Sequence, residues 1–393
     1  MKPTRRNLFQ AAAASTLAAS AKAGKISSKT SAEVYERLGV KPVINGMGTV
    51  TVLGGSLMPP EVVRAMDEAS LHFVHLPDLQ KKAGAHIAGL LNVPAAMVTG
   101  GAASSIAVGT AACMARGDKK RLWALPSQDG PFEVIQQKSH HDGYEHQMQV
   151  VGGKVISIET ASELESAISP RTAMMFYLNK AENHGRIQRE EWVRIARKHG
   201  VPTFNDAAAD VPPKENLWNY VNRDGFDLVA FSGGKGMLGP QCSGLLLGRK
   251  DLIEAATEAQ SPYAGVGRGM KVGKEEIVGM IAALERFLKV DHEAESRELD
   301  RRVTEMTATL SRISGLKLSR QVPQIANQVP HLLIEWDEAK LKPARDIHRQ
   351  LIEGDPAVYT LLQGRGKILV SVWMMHGNEH RVVAKRFAEL FRA

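Results

Sequence analysis

Between residues 170 and 250 the chain switches repeatedly between short apolar runs and helix-spaced segments, and this alternation restricts its fold more than any other feature. TAMMFYL (172–178) reads as a buried strand, while REEWVRIARKHG (189–200) carries apolar residues at helical spacing and stops at Gly200. VPTFND (201–206), FDLVAFSG (226–233) and SGLLLG (243–248) read as three further strands. Strands interleaved with amphipathic helices predict an α/β domain with a mainly parallel sheet.

The flanking segments extend this pattern. Helices are predicted from Glu61 to about Phe73 and from Leu79 to Leu91. AAMVT (95–99) reads as a short buried strand, and GGAASSIAVGTAACMARG (100–117) as a glycine turn opening a helix of small residues. Lys41 to Pro60, containing INGMGTVTVLGGSLMPP, is too broken by glycine to predict a regular element. Beyond 271 a long helical pattern, divisible into two pieces, leads into a carboxy-terminal α+β unit. At 393 residues the chain exceeds the usual size of one domain. The expected division is a leader (1–23), an arm (24–60), a large domain (61–270), and a linking helix with a smaller α+β domain (271–393).

The formal net charge of +8 raises the question of nucleic acid. Much of the excess is local, because Lys2, Arg5, Arg6, Lys22, Lys25 and Lys29 precede the first acid, Glu33. No arginine-rich run interleaved with aromatics follows, so no nucleic-acid partner is expected. No apolar run approaches the roughly 20 residues of a spanning helix, so no membrane partner is expected either. The leader has a basic start, a short alanine-rich stretch and Ala21-Lys22-Ala23 as an A-x-A cleavage site. Its Thr-Arg-Arg-Asn-Leu-Phe-Gln order resembles the twin-arginine export signal, which carries proteins already folded. That predicts a periplasmic or exported protein, or a cytoplasmic one if the leader does not function. Cys113 and Cys242 have neither disulfide nor metal-ligand spacing and are expected to be small buried hydrophobes.

In open α/β sheets ligands bind where strands finish, and three strand ends carry suggestive chemistry. Gly100-Gly101-Ala102-Ala103-Ser104-Ser105 would aim free backbone N–H groups and a helix dipole at a phosphate, with Ser104 and Ser105 as added donors. Close helix packing through small residues explains the same stretch. Neither G-x-G-x-x-G nor G-x-x-x-x-G-K-[ST] can be written on it. Asp206 closes a strand, where an isolated carboxylate suits a protonated pyridine nitrogen or simply caps the next turn; Asp210 is the alternative acid. Lys235 lies in FSGGKG directly after an apolar run. Desolvation there disfavours its charged form, and a neutral amine is what condenses with an aldehyde to a Schiff base. A structural lysine at a turn is the other reading. Ser232, three residues earlier, would donate to the same phosphate as the first loop.

Phosphate cradle, acid and lysine in that order are the contacts that pyridoxal phosphate needs. The chain from about residue 33 onward resembles the fold-type I family of pyridoxal-phosphate enzymes. More narrowly, it resembles the branch containing bacterial selenocysteine synthase and D-glucosaminate-6-phosphate ammonia-lyase. INGMGTVTVLGGSLMPPEVVRAM, the loop at 100–105, VPTFNDAAAD, FSGGKGMLGPQCSGLLLGRKDLI and GRGMKVGKEEIVGMIAAL carry the likeness.

The resemblance implies a seven-stranded, mainly parallel sheet plus a smaller α+β domain. It implies Lys235 as the Schiff-base residue, Asp206 on the pyridinium, and Gly100, Gly101, Ala102, Ser104 and Ser232 around the phosphate. It places His141 of KSHHDGYEH near the cofactor face, stacking on the ring, although the residues alone suit ordinary loop histidines at 140, 141 and 146 equally well. Arg268 and Lys271 would meet an anionic substrate group or form a solvated basic face. Where selenocysteine synthases carry an arginine this chain reads KILVSVWMMHG with Trp373, so Arg365 or Arg268 would take the substrate carboxylate instead.

A homodimer or larger oligomer is implied, with the arm at 45–56 completing a neighbour's pocket. An export leader in place of a tRNA-binding region argues against tRNA. The expected chemistry is α-proton abstraction from an amino acid and β-elimination to a 2-oxo acid and ammonia, with a 2-amino-3-hydroxy acid or amino-sugar acid as substrate. Racemisation, aldol cleavage, selenium or sulfur transfer, and binding without turnover are the alternatives.

Overall fold

The computed structural model describes residues 32–127 and 129–392. The leader expected at 1–23 lies outside the described residues. Before Ile44 the described chain holds a short helix, Glu33–Glu36, and the segment from Ile44 onward forms a unit of its own.

The large sheet has seven strands: the five expected from the apolar runs, and Glu133–Gln137 and Lys154–Ile158, which the sequence reading did not place. They are β2 (Ala95–Thr99), β3 (Glu133–Gln137), β4 (Lys154–Ile158), β5 (Thr172–Leu178), β6 (Thr203–Asp206), β7 (Leu228–Ser232) and β8 (Gly244–Gly248). They pair in the order β2-β8-β7-β6-β5-β3-β4, all parallel except β8, which runs antiparallel to both neighbours. Both faces of this sheet are buried, which explains the near-continuous apolar runs. Alternate side chains divide between two cores: Met174, Phe176 and Leu178 join one, Met175 and Tyr177 the other, and β7 sorts Leu228 and Ala230 from Val229 and Phe231.

Helix Ala102–Ala115 shows why its sequence is so rich in small residues. It is buried almost all round, and a Cβ on Gly109 would sit 2.4 Å from the Phe204 ring. Small side chains let this helix lie against the sheet. Helices Leu76–Leu91, Arg189–His199 and Lys274–Lys289 contribute to the opposite core.

The linking helix is two helices, Lys274–Lys289 and His292–Leu310, the second capped by Asp291, whose Oδ1 accepts the Ala294 N–H at 2.9 Å. A five-stranded sheet follows, built from β9 (Leu316–Gln321), β10 (His331–Trp336), β11 (Val358–Leu362) and β12 (Lys367–Ser371). Its fifth strand corrects the expectation for the arm. Ile44–Gly46 forms β1, parallel to β11 with Ile44 opposite Val358. Local glycine content hid this strand because its partner lies some three hundred residues away, and Gly46 is part of the fit: a Cβ there would stand 2.7 Å from the Tyr359 carbonyl. Cys242 is exposed rather than buried, on the turn that precedes β8. Among the described residues no helix is long and apolar enough to cross a membrane.

Candidate active site

The register of the large sheet collects the strand ends singled out by sequence. Leu178 of β5 pairs with Asp206 of β6, Asp206 with Ala230 of β7, and Gly244 of β8 stands opposite both Ser232 and Thr99. The segments leaving β2, β5, β6 and β7 line a cavity of about 220 Å³ together with residues of the loop after β3.

Lys235 leaves β7 through a loop with almost no spare room. A Cβ on Gly233 would lie 2.2 Å from Ser243 Oγ, one on Gly234 2.5 Å from Gln241 Oε1, and one on Gly236 2.0 Å from the Val211 carbonyl. None of the three has a positive φ, so these glycines serve close approach rather than an unusual backbone conformation. The Leu238 N–H donates to the Lys235 carbonyl at 2.9 Å, and Gly233 and Gly239 are tied at 2.8 Å, which fixes the lysine's backbone. Burial pushes the Lys235 amine below the ordinary lysine range, against the opposing charges of Asp206 and Asp210.

Asp206 is buried and lines the cavity. Its Oδ1 accepts the Ala208 N–H at 3.0 Å, leaving Oδ2 for a ligand. Burial pushes its carboxyl up, and the Ala208 bond and the Lys235 charge only partly offset that. Burial thus disfavours the charged form of both groups.

Asp210 is buried too, and neither of its oxygens makes a well-formed hydrogen bond, the nearby Asn179 side chain offsetting its burial only in part. Burial pushes it up to about 7. Because the folded value lies above the unfolded one, the stability tied to this proton is complete in acid and is lost as pH rises through 7. Relative to Asp210→Asn, the protein without ligand should lose about 2 kcal/mol between about pH 5.5 and about pH 8.5. Urea midpoints at the two pH values measure this; a difference that does not change with pH would mean the carboxyl is ionised and paired.

At the far end of the cavity Gly101 has φ +122° and gives helix Ala102–Ala115 no side-chain cap, so the first N–H groups of a 14-residue helix are left for an anion. Gly100, Gly101, Ala102, Asp206, Ser232 and Lys235 all line the cavity, as the sequence suggested. Ser104 sits beside Gly100, its Oγ 3.2 Å from where a Gly100 Cβ would be. Ser105 does not join them. It is fully buried with its hydroxyl 2.7 Å from that of Thr99, which joins the helix start to the end of β2.

The remaining candidates lie outside the cavity lining. His141 does not line the cavity: its ring is held by Ser157 Oγ at 2.9 Å and Glu145 at 3.1 Å, and Asp142 and Tyr144 line the cavity instead. His140 is no loop histidine. It is fully buried edge-on to Tyr177, accepts the Leu178 N–H at 3.1 Å, and is held at about 4 by burial. Arg268 is exposed beside Ser261, and Lys271 is exposed, approaching the site only through its carbonyl near Gly100. Arg365 lies in the β11–β12 turn, 94% exposed and paired with Glu338 at 3.2 Å. Long cations next to solvent gain more from water than from a pocket they would have to reach into.

The sequence reading missed Lys180, two residues beyond β5, and Asp142, which faces it. The strand-end rule that marks Asp206 and Lys235 marks Lys180 equally.

A buried amine without an ion pair, a buried acid with one oxygen free, and an uncapped helix start with Ser232 beside it fit pyridoxal phosphate, which would place its aldehyde, ring nitrogen and phosphate at these three positions. The fold and this donor set define a pyridoxal-phosphate-dependent enzyme of fold type I.

Comparison with known proteins gives the same class. The aminotransferase class-V family description matches residues 146–328. The chain is 33% identical over 340 residues to the 5'-C-glycyluridine monooxygenase-decarboxylase of Streptomyces sp, covering 83% of each. It is 30% identical over 339 residues to the D-glucosaminate-6-phosphate ammonia lyase of Salmonella typhimurium, covering 83% of this chain and 88% of that one. A solved structure of D-glucosaminate-6-phosphate ammonia-lyase superimposes with a TM-score of 0.79 at 27% identity, over 93% of this chain and 99% of the other. The chain belongs to the aminotransferase class-V family.

Proposed function

We propose that this enzyme is a lyase that removes ammonia from a 2-amino-3-hydroxy acid, with an amino-sugar acid as the favoured kind of substrate. The observation that carries the reading is the Lys235 amine, partly buried and lowered in proton affinity in a cavity that Asp206 also lines. When bound, pyridoxal phosphate supplies an electron sink for charge developing at the substrate's α-carbon. Lys235 Nζ takes the α-proton, a role for which a lowered proton affinity suits an amine near neutral pH. With the cofactor bound, Asp206 Oδ2 would hold a proton on the ring nitrogen, and the helix start at Ala102 with Ser232 would anchor the phosphate. Departure of the 3-hydroxyl as water leaves an enamine, which water converts to the 2-oxo acid and ammonia. Likeness to the ammonia lyase supports this outcome.

A second reading has its own support, since the 33% identical relative is a monooxygenase-decarboxylase. The two relatives' names share an amino acid carried on a sugar skeleton, which is the substrate class we assign here. A homodimer is part of the proposal: Val52, Leu57, Leu71 and Phe73 expose large apolar side chains, Phe73 entirely, and Thr51, next to Val52 in the chain, lines the cavity. Export is proposed from the twin-arginine order at Arg5 and Arg6.

The test uses the purified holoprotein, with a solution mass of twice the chain expected. Serine, threonine and 2-amino-sugar acids, with and without phosphate, are assayed for ammonia, 2-oxo acid, oxygen uptake and loss of chirality. Ammonia and oxo acid in equal amounts, without oxygen uptake, are expected. Oxygen-dependent release of carbon dioxide would install the second reading, and racemised substrate without ammonia would discard both.

A further inference from the structure

An enzyme that binds an amino acid must give its carboxylate a counter-charge, because a carboxylate moved out of water unpaired is strongly disfavoured. None of the cations that the sequence offered for this purpose lines the cavity. The tip of Trp373 instead comes within 3.3 Å of where a Gly236 Cβ would stand. In the adjoining cavity of about 440 Å³, Arg286 is already paired with Glu61 at 3.0 Å, and Arg302 with Glu298 at 3.0 Å and with backbone carbonyls of Val372 and Met375. Among the described residues lining the Lys235 cavity, the cationic side chains are Lys235 and Lys180. Lys235 is committed to the chemistry.

We infer that Lys180, steadied by Asp142, binds the substrate's carboxylate and sets the enzyme's preference for amino acids over uncharged amines. This deepens the lyase reading and rests on it only in taking the substrate to be an amino acid. Lys180 Nζ lies 2.8 Å from Asp142 Oδ2. An ammonium has three donors and Asp142 takes one, while the half-exposed side chain leaves the others to the cavity.

Asp142 is itself fixed. Its Oδ1 accepts the Tyr144 N–H at 3.1 Å, and its own N–H donates to Glu145 Oε1 at 2.9 Å. Glu145 in turn accepts the Gly143 N–H at 2.7 Å, the Gln136 amide at 3.3 Å and the His141 ring at 3.1 Å. The loop after β3 is thus a brace for one carboxylate, and through it for one ammonium. His141, misplaced by sequence as a ring-stacking residue, belongs to this brace.

The two lysines of the cavity are pushed in opposite directions. Burial works against the charge of both. At Lys235 it wins, whereas at Lys180 the bond to Asp142 and the charges of Asp142 and Asp206 outweigh it and hold the ammonium above its ordinary range. Environments that separate two like groups in this way divide their roles: one amine is freed of its proton and the other keeps it. Along the sheet edge the charges alternate as Lys235, Asp206, Lys180, Asp142, following the strand order β7, β6, β5, β3.

The test needs no turnover. α-Methylserine has no α-proton to lose, so its binding, and that of its carboxamide, can be followed through the visible absorbance of the holoenzyme. The wild-type protein should bind the acid about 10- to 100-fold more tightly than the amide, the range for losing one charge-assisted hydrogen bond. Lys180→Gln should lose that preference by weakening the acid alone, and Lys180→Arg should keep most of it. Equal affinity for acid and amide in the wild type, an undiminished acid preference in Lys180→Gln, or no spectral response to either ligand would overturn the inference. If ammonia is never released but the acid preference follows Lys180, the lyase reading fails and this one stands. The acid-to-amide comparison in the wild type remains decisive should the glutamine variant not fold.

Discussion

Lys235→Ala should abolish turnover, by at least about 10⁴-fold, while the thermal midpoint of the protein stays near that of the wild type. The large effect follows from two roles in one atom, since Nζ is both the attachment point for the cofactor aldehyde and the group that takes the α-proton. The small structural effect follows from the loop. Its geometry is set by backbone ties at Gly233, Gly239 and Leu238 and by side-chain-free approaches at three glycines, none of which involves the lysine amine. Removing a buried amine that has no ion-pair partner also relieves a desolvation penalty. Borohydride should fix the cofactor to the wild-type chain and not to the variant, and added methylamine should restore part of the rate. A variant that turns over at the wild-type rate would remove Lys235 from the mechanism and, with it, the reading of the cavity.

Asp206→Asn should lower kcat by about 10²- to 10³-fold, the range found when one preorganised electrostatic contact to developing charge is removed. Asparagine can still accept the Ala208 N–H, so the strand end should hold its shape. What it loses is the anionic oxygen that keeps a proton on the ring nitrogen. The expected signature is a fall in kcat with a smaller change in KM, accompanied by a shift in the visible spectrum of the holoprotein. Equal loss from Asp210→Asn, with Asp206→Asn nearly silent, would transfer the role to the neighbouring acid, which is as deeply buried and has neither oxygen in a well-formed hydrogen bond.

Five strands of the large sheet were legible because burial on both faces makes them announce themselves locally, in runs such as TAMMFYL and DLVAFS, whereas β3 was missed and edge strand β4 is only partly buried and was missed too. The chemistry at the ends of those five was legible for the same reason: once a strand is placed, the residue that follows it is placed too. That logic found Gly101, Asp206 and Lys235, and it would have found Lys180 had the residues after Leu178 been questioned in the same way.

Strand β1 was not legible, since three residues next to glycines become a strand only through pairing with β11 near the other end of the chain. Side-chain direction was not legible either. His141 and Asp142 are neighbours in KSHHDGYEH, and only the hydrogen bonds of Ser157 and Glu145 decide which of them turns toward the cavity. Arg365 looked available because it is a cation in the right domain. It sits on a hairpin turn, where solvent is a better partner than any pocket.

The reversed strand β8 has a consequence for the size of molecule this enzyme admits. It lies between β2 and β7, so the turn at Gly101 and the lysine loop depart from strands two hydrogen-bonding steps apart, a separation of about 10 Å. Gly244 leaves the intervening position bare, and a Cβ there would strike Gly101 and Ala102 at under 3 Å. The backbone thus acts as a fixed gauge: substitutions in the surrounding loops can loosen or tighten the grip, but the span between the two anchor points is set by main-chain pairing, which side-chain changes leave untouched.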